Sequence, residues 1–531
     1  MSSSSTTAGA PPAAAARAMP APLTGAALGI TAIALALGTF MQVLDSTIAN
    51  VSVPTIAGNL GVSTSQGTWV ITSFAVSNGI SVPLTGWLMG RYGVVKVFVA
   101  SVIMFTIASF LCGVAWNLDV LILFRVLQGA VSGPMIPGSQ ALLLMIFPPN
   151  KRATALAIWS MTTLVAPICG PILGGWISDN ISWPWIFYIN LPVGAICAFF
   201  SWRNLADRET PTFQRPIDRT GFALLVIWVG ALQVMLDTGK DVDWFHSPAI
   251  VVETIVAVVG FVAWVIWELY DKNPIVDLSL FKTRNFALGV FVLCVAYAIF
   301  FGNNLLMPLW LQTQMGYIAT WAGLVAAPSG VIAVILTPFA ARMLNKYDAR
   351  ILATVSMIFF SLSFWMRSTY TPDADFYALA APMLVMGVAM SFFFIAMVSI
   401  SLNGVPGPQV PAASGLSNFS RIVAGSFAAS LATTIWDTFE ANHQTRLAEI
   451  MGGAGGASAP IMDALNQSGM HGLTQGQAVG SVVRQVVSQA YLGAALDFFR
   501  ISAIIVLFMI PLIWLCDKTM AQPGAPPAAA D

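Results

Sequence analysis

One carboxylate in this sequence could carry a proton through an apolar environment. Asp45 closes an uncharged apolar run that begins at Leu28, and few other acids lie within the apolar stretches of the chain. A charged side chain near the centre of a bilayer costs about 2.5–3.5 kcal/mol on insertion scales, so it usually faces a polar cavity and marks an ion or substrate path. Asp45 is therefore the candidate proton carrier. The alternative is a helix-end carboxylate in the water of the lipid headgroups.

Arg125 is a second charged residue in an apolar setting. It lies a few residues inside an apolar segment, with no other charge close to it on that segment. A guanidinium in such a place needs a partner, which must come from elsewhere in the chain. The alternatives are a static structural ion pair and a side chain that extends to the external membrane interface.

The composition shows what kind of protein positions these residues. Hydrophobic residues make up 57% of the chain and charged residues 9%, which excludes a soluble globule with a wetted surface. A membrane-spanning helix needs about 20 apolar residues. The sequence therefore predicts an all-α polytopic membrane protein with 14 transmembrane helices, whose apolar windows start near Leu28, Trp69, Val95, Val120, Thr154, Pro184, Thr220, Ile250, Phe286, Trp321, Ile351, Leu379, Gly415 and Ile501.

The positive charges predict the orientation, because short cytoplasmic loops carry an excess of Lys and Arg. If the chain starts inside, the cytoplasmic loops hold most of these residues, among them Lys151 and the arginines between 203 and 219. The external loops hold few, such as Lys240 and Arg367. The sequence thus places both termini in the cytoplasm.

A weak internal repeat predicts the organisation of the helices. Trp69 begins a helix that ends in Arg91, and Trp321 begins one that ends in Arg342 after a nearly equal interval. Such repeats are a structural signature of transporters. We predict a disordered cytoplasmic tail (1–23), an N-terminal six-helix bundle (24–202), an inserted helix pair with flanking linkers (203–284), a C-terminal six-helix bundle with an external loop at 437–495 (285–516), and a second disordered tail (517–531).

Five segments that occur in order identify a family. They are 44–54, 86–96, 125–129, 167–175 and 185–192. Together they resemble the fourteen-helix drug:proton antiporters of the major facilitator superfamily, the EmrB/QacA group, and most closely its EmrB branch. The match covers about residues 25 to 515. The resemblance implies the major facilitator fold and proton-driven multidrug efflux across a bacterial inner membrane.

The resemblance also implies roles for particular residues. Arg125 is expected near Asp45, where its movement could switch the proton affinity of the acid. The family's antiporter motif corresponds to Pro167, Gly170, Pro171, Gly174 and Gly175. The resemblance implies that this motif packs helices closely enough to prevent proton leak. Ordinary packing of small residues explains the same sequence equally well.

A gating loop of the superfamily is matched only in part. Gly86, Arg91, Gly93 and Lys96 are present, but the acid usual at the position of Gly90 and the basic residue usual at Val94 are missing. The charge relay of that gate is therefore incomplete in this sequence. A loop that only sets the topology is the alternative.

The substrate is predicted from the residues of the C-terminal helices, where no acid lies within the apolar cores of 286–311, 321–341, 351–365 and 379–402. Methionine is flexible and polarizable and suits surfaces that accept many shapes. Hydrophobic, neutral or weakly acidic compounds are the expected substrates, with Arg125 or Arg421 meeting the charge of an anion. The predicted lining is Gln42, Asn303, Asn304, Gln312, Met386, Met390, Phe393, Met397 and Arg421. A Met/Phe stripe that faces lipid or the core is the alternative.

The external segment before the last window has an amphipathic end. Valines and other apolar residues recur at near-helical spacing over 476–499, with polar residues between them. This face could lie on the membrane surface, or bind an EmrA-like periplasmic adaptor that leads to a TolC-like outer-membrane channel, as the resemblance implies.

The sequence lacks the motifs that other function classes require. The sequence has no phosphate-binding loop of the ATPases, no nucleophile elbow and no metal-ligand spacing of histidines and cysteines. We expect a secondary transporter rather than an enzyme, without a cofactor, driven by the proton gradient, and without a nucleic-acid partner. The alternative function is proton-coupled transport of one narrow metabolite on the same fold.

Overall fold

The computed structural model describes residues 23–148, 152–212, 216–271, 274–344, 346–405, 410–452 and 475–519. Both predicted tails lie almost wholly outside these residues, as does the centre of the predicted external loop.

Helices make up nearly all of the described chain, and no strand occurs in these residues. The first ten helices are α1 (Gly25–Leu60), α2 (Thr64–Gly67), α3 (Trp69–Ser81), α4 (Leu84–Tyr92), α5 (Val94–Gly113), α6 (Leu118–Ser132), α7 (Met135–Ile146), α8 (Arg152–Asn180), α9 (Trp185–Tyr188) and α10 (Asn190–Leu205). The other eight are α11 (Arg219–Thr238), α12 (Pro248–Tyr270), α13 (Arg284–Thr313), α14 (Ala319–Leu344), α15 (Ala349–Arg367), α16 (Phe376–Leu402), α17 (Val410–Gly452) and α18 (Gln475–Trp514).

The helices fit a multi-pass membrane protein. Within the described residues, 11 helical stretches are long and apolar enough to cross a bilayer. The other three predicted windows fall on α3 with α4, on α8 and on α17, which are helical but do not meet both criteria. The count of fourteen spans and the cytoplasmic position of the termini stay predictions.

Two sets of helices surround separate cores. Helices α1 to α10, here the N-terminal group, bury residues such as Leu35, Phe98 and Phe105. Helices α13 to α18, here the C-terminal group, bury Phe360 and Met386 with their neighbours. Helices α11 and α12 pack together, and α11 contacts α3 and α17, so the inserted pair touches both groups through α11.

The two groups meet along one side of the molecule. We call this the outer side, because the charge distribution predicts that the ends of α1 and α8 face outward. There the Asp179 carboxylate accepts hydrogen bonds from the Thr320 amide at 2.7 Å and the Thr320 hydroxyl at 2.6 Å. The Gln312 amide donates to the Val51 carbonyl at 2.9 Å. The structure is therefore closed on its outer side.

Helices α17 and α18 are much longer than a bilayer requires. They have 43 and 40 residues, and a helix rises about 1.5 Å per residue, whereas the hydrocarbon core is about 30 Å thick. Trp436 Nε1 donates to the Tyr491 carbonyl at 3.1 Å, which joins the two helices. The sequence predicts a separate amphipathic helix over 476–499, but the structure continues that helix without a break into the last apolar segment. Residues 437–452 of the predicted external loop are helical as well.

Candidate proton-coupling site

The structure brings Asp45 and Arg125 into direct contact in the core of the N-terminal group. Arg125 Nη1 lies 2.5 Å from Asp45 Oδ2, and both side chains are fully buried. Asp45 lies in the middle of α1, and Arg125 is two turns into α6, whose first turn is capped by the Asn117 side chain. The sequence predicted each of these groups from its charge, and the resemblance implied that they would lie together.

Two neutral amides complete the shell of the carboxylate. Gln128 Nε2 donates to Asp45 Oδ1 at 3.1 Å, and Asn190 Nδ2 donates to the same oxygen at 2.9 Å. Gln128 lies one turn after Arg125 and accepts a hydrogen bond from it at 2.7 Å, which orients its amide. Asn190 is the first residue of α10 and also donates to Ser109 Oγ at 2.9 Å. Four helices therefore supply this network.

The guanidinium of Arg125 is held in place from other directions as well. Its Nε donates to the Val70 carbonyl of α3 at 2.8 Å. Its carbon lies 4.2 Å from the ring centroid of Phe74 and 5.5 Å from that of Phe187. Aromatic faces attract a desolvated cation. Its Nη2 is buried and has no hydrogen-bond partner among the described residues, which leaves the two N–H groups of that atom for another arrangement of the site.

The donors around Asp45 match an ionised carboxylate. Arg125, Gln128 and Asn190 all donate to it, whereas a protonated carboxyl group would need to donate its own hydrogen. A buried ion pair is stable only when further hydrogen bonds satisfy its charges, and this shell supplies them. Asp45 is 1% exposed, so its carboxylate is shielded from bulk water in this conformation.

The glycines of the predicted antiporter motif lie where helices touch. A Cβ on Gly174 would come within 2.6 Å of the Ile48 carbonyl oxygen of α1, three residues after Asp45. A Cβ on Gly175 would come within 2.5 Å of the Ala319 carbonyl oxygen of α14. Gly170 faces Thr47, and Pro167 and Pro171 lie inside the same helix. Helix α8 is thus packed closely between the helix of the carboxylate and the C-terminal group.

The predicted gating loop is a tight turn, and an acid distant in sequence, Glu209, binds backbone amides next to it. Gly93 has φ of +94°, which favours glycine, and separates α4 from α5. Glu209, just beyond α10, accepts hydrogen bonds from the amides of Val95 at 3.0 Å and Lys96 at 2.9 Å. A carboxylate at a helix N-terminus interacts favourably with the helix dipole. The sequence correctly showed no acid at Gly90, but it did not show that Glu209 binds this turn from 113 residues away.

The other members of the gating loop make local contacts. The Arg91 guanidinium lies 5.6 Å from the ring centroid of Trp87, on the same helix. Gly86 has open space beside its α-carbon, and the Lys96 side chain is exposed.

The structure separates the residues that the sequence grouped as a substrate lining. Met386, Phe393 and Met397 are at most 1% exposed and pack in the core of the C-terminal group, with Met390 half-buried against it. Helix α16 is apolar around its whole circumference, so the sequence does not show which side faces the core. In this conformation these side chains belong to the packed core, and a lining role stays a prediction.

The predicted polar contacts are also dispersed. Asn303 is buried and donates to the Ile299 carbonyl and to Ser502 Oγ, and Gln312 binds α1 at the outer side. Gln42 lies one turn before Asp45, and its buried Oε1 has no partner. Asn304 is half-buried on α13.

Arg421 differs from these residues because it borders a pocket. The pocket is lined by Leu293, Phe394, Val398, Ser401, Leu402, Ser417, Asn418 and Arg421. The guanidinium lies 4.7 Å from the ring centroid of Tyr297 and donates to Asn418 Oδ1 at 3.0 Å. Among the described residues no ion pair joins it to an acid. This pocket therefore combines a cation with aromatic and apolar walls.

Sequence reasoning missed Asn190, Gln128 and Ser109. Asn190 and Gln128 lie within segments that carry the family resemblance, but a neutral amide in an apolar run does not by itself indicate a role. Their position beside a buried charge identifies them only once the helices are placed.

Known proteins resemble this chain over most of its length. A family model described as Major Facilitator Superfamily matches residues 35–429. The chain is 51% identical over 504 residues to the "Multidrug export protein EmrB" of Escherichia coli (strain K12), covering 95% of this chain and 98% of that protein. It is 45% identical over 507 residues to the "Fatty acid resistance protein FarB" of Neisseria gonorrhoeae, covering 95% and 99%.

Solved structures show the same architecture at low identity. A POT family transporter in complex with 5-aminolevulinic acid matches with a TM-score of 0.64 at 10% identity, covering 93% of this chain and 97% of that one. A bacterial homologue of the human lysosomal transporter Spinster, in an inward-facing and unoccupied conformation, matches with a TM-score of 0.60 at 14% identity, covering 94% and 100%. These likenesses concern the fold alone.

Proposed function

Since this chain belongs to the major facilitator superfamily, we propose that it is a proton-driven multidrug exporter of the EmrB type in a bacterial inner membrane. It is a transporter and not an enzyme. The observation that supports proton coupling most strongly is the fully buried pair of Asp45 and Arg125, since a membrane-embedded acid with a named partner indicates an ion path.

The proposed cycle is alternating access between the two helix groups. From the outside, Asp45 takes up a proton and loses its ion pair with Arg125 while the substrate leaves. After reorientation the proton passes to the cytoplasm and Arg125 again binds the carboxylate. We assign the structure, closed outside with Asp45 bound to Arg125, to the stage that follows proton release. Each proton moved inward releases about 2.3 kcal/mol per 100 mV of membrane potential.

The proposed substrates are hydrophobic, neutral or weakly acidic compounds. Arg125 is already occupied by Asp45, so Arg421 is the cation that can meet an acidic group. The pocket beside it has a volume of only about 20 Å³ in this conformation, room for about one water molecule. It would have to widen before Leu293, Phe394 and Val398 could contact the apolar part of a substrate. The named relatives fit this class, because one exports multiple drugs and another confers resistance to fatty acids.

We also propose that the exporter works with an EmrA-like periplasmic adaptor and a TolC-like outer-membrane channel. The long helices α17 and α18 extend beyond a bilayer's thickness, and their outer ends present a paired helical surface. The antiporter motif is proposed to prevent proton leak, and no cofactor is required because the proton gradient supplies the energy.

Proton flux in liposomes tests this function. The purified chain is reconstituted with an imposed proton gradient, and release of lumenal protons is followed as hydrophobic drugs are added. Wild type is compared with Asp45→Asn and with Asp373→Asn, a matched change at an exposed acid. Drug-dependent flux should be present in wild type and Asp373→Asn and absent in Asp45→Asn.

Equal flux in Asp45→Asn would remove this carboxylate from the mechanism. If only one metabolite among many compounds produced flux, the protein would be a narrow transporter rather than a multidrug exporter.

A further inference from the structure

A second buried polar cluster lies near the outer side, apart from the Asp45 site. It consists of Thr72 on α3, Gln233 and Asp237 on α11, and Ser430 on α17. These four residues are between 0% and 6% exposed. The cluster therefore joins one helix of each group to a helix of the inserted pair.

Gln233 is at the centre of the cluster. Its Nε2 donates to Ser430 Oγ at 2.6 Å and to Asp237 Oδ2 at 2.8 Å. Thr72 Oγ1 donates to the same Asp237 oxygen at 3.0 Å. The bonds thus form a continuous path from α3 through α11 to α17.

These bonds lie in the region where helices must move apart when the outer side opens. Gln233 is about one and a half turns from the outer end of α11, on the side where α8 contacts α14 and α1 contacts α13. Separation of α3 from α17 would break at least one bond of the path. Water can bind the separated groups once the outer side opens, so each bond contributes only its modest net value, and that value favours the closed arrangement.

Helix α3 also connects this cluster to the proton-coupling site. Val70 accepts the bond from Arg125 Nε, and Thr72 lies two residues further along the same helix. Movement of α3 that shifts Val70 away from Arg125 would shift Thr72 away from Asp237 as well. The two networks therefore share one rigid element.

We propose that Gln233 is the centre of an outer latch through which α11 holds α3 and α17 together, and that the latch must separate before the outer side opens. This inference rests on the alternating access of the proposed function and gives the inserted helix a part in it. Gln233 acts as a positioning residue, because it binds Ser430 of α17 directly and Thr72 of α3 through Asp237, and does not bind Asp45.

Distance measurements between spin labels test the latch without requiring transport. Labels are placed at Asn59→Cys and Asp373→Cys, which are exposed outer ends of the N-terminal and C-terminal groups, after replacement of the five native cysteines. Gln233→Leu keeps the volume but removes both donated bonds. The ratio of closed to open populations should fall roughly tenfold in Gln233→Leu and about threefold in Ser430→Ala.

Ser363→Ala is the matched control, because Ser363 is equally buried and its hydroxyl donates to the Pro382 carbonyl within the C-terminal group. It should leave the distance distribution as in wild type. Ser430→Ala keeps the test valid if Gln233→Leu does not fold.

Unchanged distances in both latch variants, or an equal shift in Ser363→Ala, would overturn the latch. A shift in the latch variants would support it even if drug-dependent proton flux were absent from wild type. In that case the proposed function would fail while the latch would stand.

Discussion

The chemistry at the scale of single residues depends on how donors share the two oxygens of Asp45. Arg125 binds one oxygen, while Gln128 and Asn190 bind the other. Hydrogen bonds to a charged group stabilise it more strongly than bonds between neutral groups. The amides therefore influence how readily the carboxylate takes up a proton, although neither of them titrates.

Asn190→Ala should move the pH dependence of transport. The ionised form of Asp45 loses one donor while the protonated form loses little, so protonation becomes easier. The alkaline limb of drug-dependent proton flux should shift to higher pH by about one unit, because such a bond is worth about 1.5 kcal/mol. Flux is measured in liposomes between pH 6 and 9.

Asn180→Ala provides the comparison. Asn180 is exposed and its side chain donates only within its own helix, to the Trp176 carbonyl at 2.9 Å. Its pH profile should equal that of wild type. An unshifted profile in Asn190→Ala would show that this amide does not influence the proton site.

At the scale of elements, the close packing of α8 against α1 positions the proton carrier. Gly174→Ala would force these helices apart, because the added Cβ lies 2.6 Å from a backbone oxygen that cannot move independently. We expect a lower melting temperature and a proton leak in the absence of drug. Both are measured on the purified and reconstituted protein.

Gly29→Ala on α1 serves as the control, because no atom lies within 4 Å of its added Cβ. It should not leak. If liposomes that contain Gly174→Ala do not leak protons, the glycine contributes to packing but not to the proton seal.

A second junction joins the start of α15 to the end of the described chain. Asp348 accepts hydrogen bonds from the Arg350 amide and guanidinium and from the Thr519 amide. Burial alone would raise the pKa of Asp348, but these hydrogen bonds outweigh it and hold the pKa below its ordinary value. The junction thus stabilises the fold while the carboxylate is ionised.

Asp348→Asn should therefore destabilise the protein in a pH-dependent way. A lowered folded-state pKa gives stability that is present above the unfolded value of about 4 and is lost as pH falls through the folded value. Melting temperatures of wild type and variant should differ at pH 7 and converge below about pH 4.

Asp375→Asn is the matched control, because Asp375 caps α16 through the Ala378 amide and asparagine caps helices equally well. It should melt as wild type at both pH values. A constant difference between wild type and Asp348→Asn across this range would exclude ionisation as the source of stability.

At the scale of the whole molecule, composition and periodicity are sufficient to predict a helical membrane protein, and the family motifs predict its fold. Asp45 and Arg125 could be found because a charge in an apolar run is conspicuous. The match of Gly174 to the antiporter motif placed it near other helices, but its contact with Ile48 depends on how those helices pack.

The remaining features depend on contacts between distant segments. Glu209 binds a turn far away in sequence, and Gln233 joins helices of both groups, so no local pattern shows either role. The Met and Phe side chains of α16 could not be assigned because every face of that helix is apolar. The sequence does not predict that α18 is one continuous helix, because polar residues interrupt the apolar pattern near its start.

Proton-coupled export requires that substrate binding and protonation of Asp45 exclude each other. The most direct measurement is the number of protons released when a saturating hydrophobic drug is added to purified protein in weakly buffered detergent. Wild type and Asp373→Asn should release up to one proton per chain over the pH range of transport, and Asp45→Asn should release none. Equal release from Asp45→Asn would contradict coupling through Asp45, because the exchanged proton would then come from another group.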